Sequence, residues 1–175
     1  NNLRFVPVAN SLPTALPVEP FFMHTAGIYY RAFINLGFAS VVGSSIYSSA
    51  YDQGEGWTSS NIGTGGNMVE TFSNLFPYTG SGAPGASVKM NITGNAQNPR
   101  QVELQVNNNQ LALQTLDYFD YVKMDLPIAT TEISSGTVAV KVINRCTVPS
   151  DRIAVAQTEL IYPRQFNFGG ANNFM

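Results

Sequence analysis

One cysteine, one histidine and one tryptophan among 175 residues leave little room for several kinds of chemistry. Cys146 alone cannot build a disulfide framework and leaves no set of thiolates to hold zinc, so stability has to come from packing. With His24 as the single imidazole, a serine triad or a cysteine nucleophile has one base to draw on, and no G-x-S-x-G turn is present to display a serine. Charge is scarce as well: Asp, Glu, Lys and Arg make up 11% of the chain, against roughly 25% in an average soluble domain, and the net charge is −2. Without a basic cluster there is nothing to follow a phosphate backbone or an anionic bilayer, which argues against nucleic acid as a partner. No apolar run approaches the roughly 18 residues of a membrane span, and NNLRFVPVAN lacks the charged and apolar regions of a signal peptide.

Gly, Ser, Thr, Asn and Gln fill the space that charge leaves. A surface of that kind is polar but nearly neutral, which is usual in secreted or surface-displayed β proteins, and the expected location is extracytoplasmic. The length suits a single domain. Beginning without Met and stopping at NNFM, the chain reads as a piece excised from a longer one.

Apolar residues recur with period two far more often than with period 3.6, which predicts strands. In SVKMNITG, Val88, Met90 and Ile92 share one face of what reads as a half-buried strand, while RQVELQVN repeats the pattern with Val102, Leu104 and Val106. The cluster NAQNP separates them, and NNNQ supplies asparagines that tolerate a left-handed backbone before LALQTL resumes the alternation with Leu111 and Leu113. Further strands are predicted in YVKMDLP, in GTVAVKVIN with Val138, Val140 and Val142 on one face, and in DRIAVAQTELIYPR, GIYYRAFINLG and MVETFSNLFPY. Eight or nine antiparallel strands at this spacing must hide their inner faces against a second sheet. The predicted fold is therefore an all-β, antiparallel sandwich of jelly-roll type. Residues 1–20, with four prolines, read as an extended arm or linker, and residues 21–175 as one β-sandwich domain.

The chemistry offered is sparse. Cys146, in VINRCTVPSD, falls at a strand end with no helix N-terminus to lower its pKa, and His24 follows Phe21, Phe22 and Met23; both read as structural, so no catalytic residue is assigned. Glycoside hydrolysis needs two carboxylates across a cleft, whereas Glu103, Asp117, Asp120, Asp125 and Glu132 are scattered over turns and outward positions. The densest polar constellation is YDQGEGWTSS. Asp52 and Glu55, with carbonyls freed by Gly54 and Gly56, offer oxygen ligands of the type Ca²⁺ takes, although the spaced acids of an EF-hand loop are missing. No other cofactor is implied. Trp57, Tyr51 and Tyr47 could present a stacking surface to a sugar; the competing reading, which the glycine-enabled bend favours, turns Trp57 inward as a core residue.

YYRAFINLG, YSSAYDQGEGWTSS, VELQVNNNQL and IYPRQFNFGG, taken together, resemble the β-rich region that precedes the peptidase domain in gingipain-like cysteine peptidases of Bacteroidetes, particularly the sortase-like proteins of the type IX secretion system. The most specific elements are GEGW, Gly54 to Trp57, and YPRQFNFGG, Tyr162 to Gly170. Residues 1–20 carry no matching motif. The resemblance implies a non-catalytic accessory or interaction domain of a larger cell-surface protein. Its partners would be neighbouring domains and secreted cargo, and the catalytic histidine and cysteine would lie outside this chain. The alternative is a carbohydrate-binding module that uses Trp57, Tyr51 and Tyr47 on a glycan.

Overall fold

The computed structural model describes residues 18–31, 33–34, 37–39, 44–46 and 56–170, with the side chains of 34, 37–39 and 44–46 left aside. Among the described residues there are thirteen strands: β1 (Phe22–Tyr29), β2 (Phe33–Ile34), β3 (Gly37–Ala39), β4 (Ser44–Ile46), β5 (Trp57–Thr58), β6 (Ile62–Gly63), β7 (Asn67–Phe72), β8 (Ala86–Gly94), β9 (Arg100–Val106), β10 (Asn109–Leu116), β11 (Tyr121–Ile128), β12 (Val138–Asn144) and β13 (Arg152–Arg164). Among the described residues no α-helix interrupts them; a 3-10 turn at Thr130–Ile133 links β11 to β12.

Eight of the strands are long, and they form two antiparallel sheets in the orders β1-β13-β8-β11 and β10-β9-β12-β7. Counted along the chain, the long strands run first-eighth-third-sixth in one sheet and fifth-fourth-seventh-second in the other. That is the double Greek key of a jelly roll, as the alternation predicted. The inward residues expected from the sequence lie between the sheets: Val88, Met90, Ile92, Val102, Leu104, Val106, Val138, Val140 and Val142 are all buried. A two-residue turn joins β9 to β10, with Asn107 at φ 50° and Asn108 at φ 68°, the left-handed backbone that asparagine tolerates best after glycine.

Three expectations need correction. The register of β10 against β9 shifts between Gln110 and Ala112, so the extra residue reverses the alternation. Leu113 consequently faces solvent, and Leu116 is the buried end of the strand. MVETFSNLFPY is a strand only as far as Phe72; Asn74 and Phe76 then take positive φ and swing Leu75 into the core. β8 is not half-buried throughout, because Asn91 and Thr93 on its other face are buried too. Of the predicted arm, residues 1–17 lie outside the described residues, while 18–20 are exposed and form no strand.

One edge of the first sheet is assembled from two pieces. β1 pairs with β13 from Phe22↔Arg164 to Tyr29↔Gln157, and β6 takes up the same edge at Ile62↔Ile153. Between them, Ser59 N–H donates to the Val155 carbonyl at 2.7 Å and the Val155 N–H donates to Ser59 Oγ at 3.0 Å. Ala156 is the extra residue of a bulge between Val155 and Gln157, where the ladder to β8 slips. The chain thus leaves the sheet edge after Tyr29 and returns at Ser59, and β2 to β5 belong to an excursion from that edge.

Candidate functional site

The end of the sandwich to which the chain returns is held by a buried ion pair. Asp151 follows the turn after β12, and Arg100 opens β9; both side chains have 0% exposure. Arg100 Nε donates to both Asp151 carboxylate oxygens at 3.0 Å, Nη2 donates to Oδ1 at 2.9 Å and to the Ala96 carbonyl at 2.6 Å, and Nη1 donates to the Tyr118 carbonyl at 2.6 Å. Asn144 and Asn98 donate to the same carboxylate at 2.9 and 3.3 Å. Burial pushes the Asp151 carboxyl up, but the hydrogen bonds from Arg100 and Asn144 and the Arg100 charge outweigh it, and the net shift is downward. Gly94 leaves room for this guanidinium: a Cβ there would overlap Arg100 Nη1 and the Tyr118 carbonyl. With its polar atoms satisfied from inside, the cluster ties three loops together and offers a ligand little.

Trp57 opens β5, two residues before the chain rejoins the sheet edge at Ser59. Gly56, buried at φ 82°, makes the bend that the sequence suggested. The bend does not turn the indole inward. Trp57 is 38% exposed, and the side chain that goes in is its neighbour Thr58, since successive residues of β5 face opposite ways. Phe33 is likewise exposed. Tyr47, Tyr51, Asp52 and Glu55 lie outside the described residues, so their grouping with Trp57 has no structural account. Among the described residues, no three His, Cys, Asp or Glu side chains gather as metal ligands.

The opposite end carries aromatics. Tyr162 is fully buried with its hydroxyl on the Leu75 carbonyl at 2.8 Å, and His24, its partner across β1 and β13, meets it edge-on at 5.6 Å. Burial first, and then the nearby Arg164 charge, lower the His24 pKa. Phe22 packs on Phe166 at 5.1 Å, and Phe21 stacks on Tyr78 at 5.1 Å. Phe166, at 56% exposure, and Phe168 lie open beside a shallow groove of about 710 Å³ lined by Pro20, Tyr78 and Gln165. Segments 20–22 and 165–168 therefore meet in one surface, where the exposed Phe166 and Phe168 stand among polar groups.

His24 and Cys146 are not brought together. Cys146 is buried at the other end, its thiol against the Pro99 carbonyl and its N–H on Asn144 Oδ1. Asn144 reaches the Ile62 carbonyl, opposite Ile153, so nine residues of extended β13, roughly 30 Å, separate that point from Tyr162 and His24. A thiol and an imidazole so far apart cannot exchange a proton.

No protein-family model matches the chain, and no curated protein matches it in sequence. Among solved structures, it is similar in fold to part of dimeric latent PorU from Porphyromonas gingivalis, with a TM-score of 0.58 and 8% identity. That likeness covers 94% of this chain and 15% of the PorU chain. The CBM36-1 domain of a multidomain xylanase from the hindgut metagenome of Trinervitermes trinervoides matches at a TM-score of 0.46 and 7% identity, over 78% of this chain and 96% of that one. A family 35 carbohydrate-binding module from an environmental isolate gives 0.42 and 13%, over 83% and 99%. Identities this low speak to fold alone, and the two modules match too loosely to carry an argument. The chain is a β-sandwich domain, and no helix among its described residues is long and apolar enough to cross a membrane.

Proposed function

We propose that this chain is a non-catalytic interaction domain of a larger gingipain-like, type IX secretion-associated cell-surface protein, where residues 21–175 form the domain and residues 1–20 the arm or linker. It packs against or presents neighbouring domains of its parent and recognises secreted cargo, at an extracytoplasmic location. The observation that carries the reading is a fold likeness covering nearly all of this chain and a small part of the PorU chain. The motifs GEGW and YPRQFNFGG lean the same way, and the second of them supplies Phe166 and Phe168 to the exposed aromatic surface. Two exposed aromatics set among polar groups suit a neighbouring domain.

The test uses the isolated chain and, separately expressed, the remainder of its parent. Association in trans is expected, with at least a tenfold loss in a Phe166→Ser/Phe168→Ser double variant, and the chain alone should cleave no peptide substrate. Peptidase activity in the isolated chain that vanishes with Cys146→Ser would overturn the reading.

A second reading, a carbohydrate-binding module, is kept by the exposure of Trp57. It predicts a change in Trp57 fluorescence on adding an oligosaccharide.

A further inference from the structure

We propose that the outer face of the sheet β1-β13-β8-β11, around Tyr29, is a binding site for a neutral saccharide chain. The site uses neither Trp57 nor the aromatic end of the sandwich: it is independent of the accessory-domain reading, and it shares the ligand class of the second reading on a different surface.

The site is built from a glycine and a tyrosine two residues apart on the outward face of β1. A Cβ added to Gly27 would lie 2.5 to 2.7 Å from a ring carbon, the hydroxyl oxygen and the phenolic carbon of Tyr29. The ring must therefore lie flat on the Gly27 backbone, a place that any other residue would deny it. Its hydroxyl donates to Glu159 Oε1 at 2.5 Å, and Glu159 is the residue opposite Gly27 in the β1–β13 pair. One ring face rests on the sheet, the hydroxyl is tethered, and the side chain remains 52% exposed. Such a ring has already lost the rotamer freedom that binding would otherwise cost.

Polar side chains continue from the ring in two rows. Glu159 is followed across the sheet by Lys89 and then Asp125, with Lys89 Nζ 3.6 Å from the Asp125 carboxylate. Beside it run Tyr29 and Gln157, with Lys123 beyond the buried Asn91. The two acids and two lysines sum to zero, so the face has no net field for a polyanion or a polycation. Three strand spacings of about 4.8 Å make it roughly 14 Å wide, room for two or three sugar rings. A pyranose presents an apolar C–H face that can lie on an aromatic ring, and its equatorial hydroxyls both donate and accept. Carboxylates, ammonium groups and side-chain amides around a flat ring match that pattern. An extended peptide gains most from free main-chain groups, and β13 and β8 are paired on both sides.

The experiment is an amide chemical-shift titration of the isotopically labelled chain with uncharged hexasaccharides of glucan, xylan and mannan type, up to millimolar concentration. At least one should shift the amides of Gly27, Tyr29, Gln157 and Glu159 in a saturable way. Tyr29→Ala should weaken that binding about tenfold or more, and Gly27→Ala, which displaces the ring without removing it, by a similar factor. Tyr29→Phe, which keeps the stacking face and the fold, should lose only about two- to fivefold, and Trp57→Ala should change nothing. The proposal is overturned if none of the sugars moves those amides, if affinity follows Trp57 and not Tyr29, or if only charged polysaccharides or peptides bind there. Its failure would leave the accessory-domain reading untouched.

Discussion

Replacing Asp151 by asparagine keeps the shape of the side chain and removes the charge that Arg100 faces. Both groups have 0% exposure, so the guanidinium left behind cannot turn to water. One carboxylate oxygen also becomes an amide that donates, and every neighbour of the carboxylate is already a donor: Arg100 Nε and Nη2, Asn98 and Asn144. Removing one partner of a buried pair costs about 3–5 kcal/mol. With a urea m-value of about 2 kcal/mol per molar, the midpoint should fall by about 2 M. Far-UV circular dichroism in urea at pH 7 measures this. Arg100→Met/Asp151→Leu, which leaves no buried charge, should cost less than Asp151→Asn alone. The pH dependence follows from the lowered folded-state pKa of Asp151. The unfolded chain binds the proton more readily, so the stabilisation is complete above the ordinary Asp value of about 3.9 and is lost as pH falls through the folded value. Asp151→Asn should abolish that acid-sensitive component. A loss below about 1 kcal/mol in the single variant, or a double variant as unstable as the sum of two singles, would refute the account of the cluster.

Gly94→Ala forces a methyl into Arg100 Nη1 and the Tyr118 carbonyl, and should cost about 1–3 kcal/mol in urea melts, less than additively with Asp151→Asn because the two act on one network. Tyr162→Phe leaves the Leu75 carbonyl without its buried donor and should cost about 1–3 kcal/mol by the same assay. The lowered pKa of His24 means that the unfolded chain takes up the proton first as pH falls below about 6.5, so stability should decline from there until the folded pKa is passed, and His24→Gln should remove that dependence. Iodide should quench Trp57 fluorescence in the native state, since the indole is exposed; a shielded indole would contradict the geometry at β5.

The eight-strand framework was legible because each long strand carries its own alternation. Val88, Met90 and Ile92 announce their face without reference to any partner, and so do Val138, Val140 and Val142. Leu113 was misplaced because a bulge changes phase, and phase depends on how the facing strand is met, which the local pattern does not encode. Arg100 and Asp151 were missed for a related reason. Each looks like an ordinary charged residue beside a turn, and the 51 positions between them have no spacing rule that marks a pair.

Trp57 shows where the reading of a motif runs short. GEGW correctly signals a bend, since Gly56 takes a backbone that other residues resist. Which of the next two side chains enters the protein is a question of parity, and parity is set by the return to the sheet edge at Ser59, where Val155 supplies the hydrogen bonds. That anchoring accompanies a buried Thr58 and Ser59 and an exposed Trp57. The same logic makes Tyr29 informative: GIY reads as one more alternating step of a strand, yet the absent side chain at Gly27 lets the ring lie down two residues later. A glycine inside a strand pattern is thus a local signal for close approach, and here what approaches is the chain's own aromatic ring, with its other face left for a partner.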